Sequence, residues 1–180
     1  NVLDRGFIFG DGVYEVIPIF NRKIFRFDEH IRRLENSLEA IYMNNPLKKK
    51  EWHNIFNQLI NSSEHPNQSI YLQITRGVSE RDHDVSVADK PTIFAMSRPI
   101  EKNDFSSGIK AITHEDIRWQ YCDIKAITLL PSILLRHKAK QQGAREAILI
   151  RNGYVTEGAA SNIFVCANSK IVTPPKTNHV

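Results

Sequence analysis

The sequence predicts a mixed α/β protein of the α+β type, built from two domains. Apolar residues alternate along residues 69–75, which is the pattern of a strand with one buried face. Behind residue 28, apolar residues recur at spacings of three and four, which predicts an amphipathic helix. Asn152-Gly153 stands between two apolar runs and predicts a tight hairpin. We therefore expect helices combined with strands, with mostly antiparallel pairing in the second half.

The first domain is predicted to open with two strands and a helix. Residues 13–20 form an apolar, β-branched run that predicts a buried strand, in which Pro18 indicates an edge or a bulge. Residues 23–27 are expected to return as a second strand, and Asp28 is the predicted N-cap of the helix that follows. The apolar face of this helix carries Ile31, Leu34, Leu38 and Ile41.

A second helix and two further strands complete the predicted first domain. The helix starts near Lys48-Lys49-Lys50, and strands are expected at residues 69–75 and 92–96. Its apolar side carries Trp52, Ile55 or Phe56, and Leu59. The polar, turn-rich stretch that follows predicts a boundary. We expect a smaller N-terminal domain over residues 1–102 and an interdomain linker over residues 103–108.

The second domain is predicted to be the first part of a larger one and spans residues 109–180. Its helix has Pro131 in the first turn, where proline is tolerated, and Gly143 as the C-terminal stop. The expected elements are a strand at 109–117, a helix at 130–142, a hairpin at 146–150 and 154–156, and a strand pair at 161–165 and 170–173.

Composition and charge exclude several classes of function. The 180 residues carry a net charge of +4, without the clustered basic stripe that a nucleic-acid footprint needs. Cys122 and Cys166 have no zinc-ligand spacing, so we expect no metal site and reduced thiols in a cytoplasmic protein. No apolar run approaches the length of a membrane span. Because the first residue is not Met and residues 173–180 are a loop, we expect the N-terminal start and a C-terminal part to be missing.

Four ordered segments together indicate a family. Residues 4–15 read DRGFIFGDGVYE and residues 28–34 read DEHIRRL; residues 116–125 read DIRWQYCDIK, and residues 156–164 read TEGAASNIF. In this order and spacing they resemble the fold-type IV pyridoxal-phosphate (PLP) enzymes, in the form typical of D-amino-acid aminotransferases. The resemblance implies a two-domain fold with PLP bound between the domains.

The resemblance identifies Lys125 as the lysine that forms a Schiff base with PLP. The flanking residues Ile124, Ala126, Ile127, Leu129 and Leu130 are apolar, so we expect them to bury this lysine. A buried lysine loses proton affinity through desolvation, which favours the free amine that such a bond requires. Once released, the same amine would carry a proton between the substrate and the cofactor.

The resemblance also implies further cofactor ligands. Glu157 pairs with the pyridine nitrogen, and Arg33 holds the phosphate with a guanidinium fork that suits phosphate geometry. Ala160, Ser161 and Asn162 are the other expected cofactor contacts.

Substrate recognition is predicted to depend on a carboxylate site. Arg81 and His83 point to the same side of an extended chain, and the Arg-x-His pair resembles the carboxylate trap of D-amino-acid aminotransferases. The resemblance adds Tyr14 and Val16 on the first strand, and His30 is expected to support the group.

These residues predict transamination of D-amino acids, in which D-alanine and 2-oxoglutarate give pyruvate and D-glutamate. The expected partners are amino acids, 2-oxo acids and a second copy of the chain, in a homodimer whose loops complete each other's site. Ala159-Ala160 stands where D-specific enzymes carry serines. The alternatives are therefore an aminodeoxychorismate lyase, an L-branched-chain aminotransferase, and a PLP-fold binding protein without activity.

Overall fold

The computed structural model describes residues 1–85, 88, 90–101 and 106–180, so residues 103–105 of the predicted linker lie outside the described residues. The chain divides into two compact units, Asn1–Lys102 with Ile124–Ile127, and Asn103–Asp123 with Thr128–Val180. The expected second domain included Ile124–Ile127, but these four residues belong to the first unit. They do so because their backbone pairs with its first long strand: Val13 and Ala126 form a β-bridge.

The first unit is a four-stranded antiparallel sheet in the order β2-β1-β3-β4. Its elements are α1 (Arg5–Phe9), β1 (Gly12–Phe20), β2 (Lys23–Ile24), α2 (Phe27–Ala40), α3 (Lys49–Asn61), β3 (Gln68–Thr75) and β4 (Thr92–Pro99). One sheet face is apolar and packs with α2 and α3. Its buried core is formed by Val13, Ile17, Ile19, Ile31, Leu34, Leu38, Trp52, Phe56, Ile60, Ile70, Leu72 and Ile74.

Pro18 explains why β2 is shorter than predicted. Ile19 and Ile24 pair, and the Phe25 N–H donates to the Pro18 carbonyl at 2.9 Å. Proline has no N–H to return, so the ladder ends there and residues 25–27 do not continue the strand. The predicted edge at Pro18 is therefore confirmed, because β1 is left without a β2 partner along its N-terminal half.

The predicted N-cap at Asp28 is wrong. The helix begins at Phe27, behind Arg26 in a left-handed conformation with φ 52°. The Phe27 ring lies edge-on to Phe56, 6.0 Å between centroids, which places residue 27 in the core and starts the helix one turn position early. Asp28 instead pairs with Lys49 at 2.8 Å. The sequence analysis also missed α1, which Asp4 caps by accepting the Gly6 N–H at 2.8 Å.

The second unit contains a three-stranded sheet in the order β5-β6-β7 and a separate β8–β9 hairpin. Its elements are β5 (Ala111–Glu115), α4 (Leu130–Gln141), β6 (Glu146–Arg151), β7 (Tyr154–Gly158), β8 (Val165–Ala167) and β9 (Lys170–Val172). Asn152 and Gly153 both have positive φ, so the predicted β6–β7 hairpin is confirmed.

The expectation of antiparallel pairing fails at one place. Strands β5 and β6 are parallel, because α4 carries the chain back between them. The helix buries Leu135 and Ala139 against Ala147 and Leu149 of β6. Among the described residues, no helix has both the length and the apolar character that crossing a membrane would take.

Candidate active site

The open side of β1 is occupied by the segment that carries Lys125. The Tyr14 N–H donates to the Lys125 carbonyl at 2.9 Å, and the Ile127 N–H donates to the Gly12 carbonyl at 3.1 Å. The Lys125 N–H donates to the Ser37 hydroxyl on α2 at 3.2 Å. Because these bonds fix the backbone on both sides of Lys125, only its side chain is left to move.

The Lys125 side chain lies against an aromatic ring. Its Nζ is 4.2 Å from the centroid of the Tyr14 ring. Among residues 1–85, 88, 90–101 and 106–180, no hydrogen bond or ion pair to this Nζ is present. Lys125 is half-buried rather than fully buried as expected, because Leu129 and Leu130 point to solvent and are 38% and 64% exposed. The amine is thus held in place and has no polar partner that must be displaced before it reacts.

Tyr14 and Val16 lie on the sheet face opposite the apolar core. They alternate along β1 with Val13, Glu15 and Ile17, which are buried. An aromatic row crosses this face: Tyr14 and Tyr71 are 5.8 Å apart, and Tyr71 and Phe94 are 6.3 Å apart, between ring centroids. Tyr71 was not predicted as a site residue, since its position beside Val16 depends on the β1–β3 register.

Arg33 and His30 converge on Glu15, on the helix-covered face of the sheet. The Glu15 carboxylate accepts from Arg33 Nε and Nη2, both at 2.6 Å, and lies 2.9 Å from His30 Nδ1. The Glu15 side chain is 1% exposed. Burial acts to raise the pKa of Glu15, but the hydrogen bonds from Arg33 and His30 outweigh it and lower the pKa. His30 therefore contacts Glu15 and Arg33, whereas its recorded contacts include neither Tyr14 nor Arg81.

The pairing with Glu15 determines what Arg33 has left to offer a ligand. Its side chain is 48% exposed, and the hydrogen bonds to Glu15 raise its pKa, so it stays charged. Nε and Nη2 are directed to Glu15, and Nη1 has no hydrogen-bond partner among the described residues. Arg33 can thus donate to an anion such as a phosphate from Nη1 while Glu15 keeps the guanidinium plane fixed.

Arg81 and His83 lie in an exposed loop and share one neighbour. The His83 ring and the Arg81 guanidinium each lie 5.4 Å from the centroid of the Phe9 ring. Both side chains therefore stand at the end of α1. No hydrogen bond or ring contact joins them to Tyr14 within the part of the chain that the structure describes.

Glu157 belongs to the second unit, where an arginine holds it. Arg118 donates from Nη1 to Glu157 Oε1, and from Nε and Nη2 to the two oxygens of Asp116 at 2.9 Å and 2.8 Å. The paired bonds to Asp116 set the plane of the guanidinium, and that plane determines where Nη1 meets Glu157. The Glu157 side chain is 20% exposed. Its Oε2 has no hydrogen-bond partner among the described residues and can accept one from a ligand.

Asp116 is the buried centre of this group. Its side chain is 0% exposed and also receives the Thr156 hydroxyl at 3.0 Å and Arg151 Nη2 at 3.2 Å. Burial acts to raise the pKa of Asp116, but the hydrogen bonds from Arg118 and Thr156 outweigh it and lower the pKa to about 2. Asp116 and Arg118 were noted in the sequence only as part of a motif. The signal for their role was an acidic and a basic residue two positions apart just after a strand.

The turn after β7 carries the remaining predicted cofactor contacts. Ser161 donates its hydroxyl to Glu146 at 2.9 Å, and its carbonyl accepts the Gly158 N–H at 2.7 Å. Ala160 and Asn162 are exposed. The Ser161 hydroxyl is thus used within the unit. In the described ranges, no group of three or more His, Cys, Asp or Glu side chains could hold a metal ion.

Comparison with known families assigns the chain. Residues 12–180 match the family model described as amino-transferase class IV. The chain belongs to this family. It is 40% identical over 179 residues to a D-alanine aminotransferase of Bacillus licheniformis, covering 98% of this chain and 63% of that protein. This class IV chain therefore spans less than two thirds of the length of the curated relative.

Solved structures of the family share the fold. A branched-chain amino acid aminotransferase of Escherichia coli matches with a TM-score of 0.87 at 22% identity, over 99% of this chain and 64% of that one. A putative 4-amino-4-deoxychorismate lyase of Legionella pneumophila matches with a TM-score of 0.84 at 21% identity, over 97% and 65%. The fold-type IV prediction is thus confirmed. These structures support the fold alone, because it is common to enzymes with different reactions.

Proposed function

We propose that the full-length protein that carries this chain is a PLP-dependent aminotransferase acting on D-amino acids. The reaction is D-alanine plus 2-oxoglutarate to pyruvate plus D-glutamate. The observation that carries the proposal is the Lys125 amine, which lies over Tyr14 with no polar partner among the described residues. The 40% identity to a D-alanine aminotransferase supports the choice of substrate.

The residues present fit the cofactor that class IV aminotransferases use. Three polar atoms are left open by the described contacts: Lys125 Nζ, Arg33 Nη1 and Glu157 Oε2. They match in chemistry the aldehyde, the phosphate and the pyridine nitrogen of PLP. The first two belong to the first unit and the third to the second. When bound, PLP supplies an electron sink for the charge left at Cα once its proton departs.

The chain's own side chains would do the rest. Lys125 Nζ holds the cofactor and, after the substrate amine has displaced it, takes the proton from Cα. Glu157 holds a proton at the pyridine nitrogen, and Arg118 keeps the carboxylate in one orientation. Arg81 and His83 donate to the substrate carboxylate. Ala160 and Asn162 border the cofactor without a charge, and Val16 borders the substrate beside Tyr14.

We also propose that the protein is a cytoplasmic homodimer. Within one chain Tyr14 contacts Lys125 and Tyr71, whereas Arg81 and His83 contact Phe9. A second copy would bring the two parts of the carboxylate site together. Mixing inactive Lys125→Ala and Arg81→Ala proteins after partial denaturation should then restore part of the activity. A mixture as inactive as its components would rule out a shared site.

A direct assay separates this function from its competitors. The full-length protein with PLP receives D-alanine or L-alanine together with 2-oxoglutarate, and pyruvate is followed. Pyruvate from the D-isomer alone, and only with 2-oxoglutarate present, is the expected result. Pyruvate from L-alanine would contradict D-specificity, and the branched-chain L-amino acids would be tested next.

A second candidate is an aminodeoxychorismate lyase. The observation that favours it is Ala159-Ala160 after β7, which leaves no hydroxyl on those two side chains. Pyruvate released from aminodeoxychorismate without any 2-oxo acid, together with no turnover of either alanine, would establish the lyase. A protein that gives no visible absorbance with PLP would instead be a binding protein without activity.

A further inference from the structure

The loop that carries Arg81 and His83 is gripped from below by one buried arginine. Arg5 Nη1 donates to the Asp82 carbonyl at 2.6 Å and to the Asp84 carbonyl at 3.3 Å. These two carbonyls flank His83 on either side. Arg5 is only 3% exposed, although it lies in the first turn of a five-residue helix. A buried guanidinium directed at backbone carbonyls orders the loop and is shielded from solvent ligands.

Phe9 holds the side chains of the same loop. It lies four residues after Arg5, so the two share one face of α1. The Phe9 ring centroid is 4.9 Å from the Arg5 guanidinium carbon and 5.4 Å from that of Arg81. The His83 ring lies at 5.4 Å as well. Arg5 thus fixes the loop backbone while Phe9 gives both loop side chains a common surface.

The grip is itself anchored to the core of the first unit. Arg5 Nε donates to Asp11 at 2.8 Å, and Asp11 also accepts from Arg76 Nε and Nη2 at 2.8 Å and 3.0 Å. Arg76 donates onward to the Ile41 carbonyl at the end of α2 at 2.6 Å. Burial acts to raise the pKa of Asp11, but the bonds from Arg76 and Arg5 outweigh it and lower the pKa. The charge of Arg5 is therefore matched inside the protein.

We propose that Arg5 and Phe9 are positioning residues that hold Arg81 and His83 in one arrangement for the substrate carboxylate. The proposal rests on the proposed function, since it assigns these donors to an amino-acid carboxylate. A loop that must be ordered on binding weakens affinity, and ordering it beforehand removes that cost. Arg5 and Phe9 act on substrate binding through the loop and have no part in the proton transfer at Lys125.

The test uses the full-length protein with PLP and three variants at Arg5 and Phe9. Arg5→Met should raise KM for D-alanine by about tenfold while kcat changes by less than about twofold. Arg5→Lys should recover part of the loss, because an ammonium replaces one of the donors. Phe9→Leu should raise KM less, because it removes the ring but leaves the loop backbone bonds. Arg22→Met is the matched control, since Arg22 donates to the Ile60 and Ser63 carbonyls elsewhere in the same unit.

A double-mutant comparison separates positioning from general destabilisation. In an Arg81→Ala background, Arg5→Met should add little to the rise in KM, because the donor that Arg5 positions is already gone. Effects that multiply fully, or a fall in kcat as large as the rise in KM, would overturn the proposal.

Amide hydrogen exchange of the cofactor-free protein gives a readout that needs no activity. Arg5→Met should speed exchange in peptides that cover residues 79–85 and leave peptides of β3 unchanged. Exchange in that loop equal to wild type would overturn the anchoring. If the wild-type protein turns over no D-amino acid, the proposed function fails, and this exchange result still decides whether Arg5 orders the loop.

Discussion

Replacing Asp116 with Asn removes the carboxylate on which the guanidinium groups of Arg118 and Arg151 converge. The pKa of Asp116 is about 2 in the folded protein, against an ordinary value of 3.8. Since the folded pKa is the lower one, the ionised carboxylate stabilises the fold at every pH well above 3.8. That stabilisation is lost as the pH falls from 3.8 towards 2.

The size of the effect follows from the shift and from what the substitution leaves behind. A shift from 3.8 to about 2 corresponds to about 2 kcal/mol of folding free energy at neutral pH. Asn also leaves Arg118 and Arg151 nearly buried with less negative charge, which adds a penalty for unpaired charge. We therefore expect Asp116→Asn to lower the free energy of unfolding by about 2 to 4 kcal/mol at pH 7.

Urea unfolding of the full-length protein, followed by circular dichroism at pH 7 and pH 3, measures this loss. The matched control is Glu115→Gln, which removes the same charge from the adjacent, exposed position. Lowering the pH to 3 should shrink the difference between wild type and Asp116→Asn by about 1 kcal/mol. Equal stabilities of the two variants at pH 7, or a difference that does not change with pH, would refute the reasoning.

Three further predictions concern the cofactor and the sheet. Arg33→Ala should weaken PLP binding by the cofactor-free protein about tenfold more than Arg32→Ala, because only Arg33 is oriented by a buried carboxylate; equilibrium dialysis measures both. Glu157→Gln should lower kcat by about a hundredfold with the PLP content unchanged, since an amide cannot keep the ring nitrogen protonated; steady-state kinetics beside a cofactor assay checks this. Gly12→Ala should cost about 1–3 kcal/mol in thermal unfolding, because its Cβ would lie 2.6 Å from the Ile74 carbonyl oxygen.

The sequence was sufficient for what depends on local spacing. The face of α2 with Ile31, Leu34 and Leu38 is buried as its periodicity predicts. The turn at Asn152-Gly153 also forms as expected, since both residues tolerate positive φ. These features depend on neighbours within a few positions along the chain, so no knowledge of the fold was needed.

The features that were missed depend on partners distant in sequence. Arg5 reaches carbonyls 77 and 79 residues away, and the charge on Glu15 is matched only once α2 covers β1. A charged residue between Val13 and Ile17 on a buried strand face is nevertheless a usable signal, because such a charge requires a partner. Asp28 shows the opposite failure: a good capping residue was overruled by the packing of Phe27 in the core.

The family motifs named the site residues but not their neighbours. Lys125 was predicted from its motif, whereas its pairing with β1 follows from Pro18, which ends the β2 ladder and leaves that side of the strand open. The roles of Lys125, Arg33 and Glu157 stay predictions that the fit of their open atoms to PLP supports.

The most direct test of the account is to find which residue holds PLP. The full-length protein is incubated with PLP, reduced with borohydride, digested and mapped by mass spectrometry. The account predicts the stable cofactor adduct on the peptide that contains Lys125, and no such adduct in Lys125→Ala. An adduct on another lysine, or an equal yield from Lys125→Ala, would contradict it.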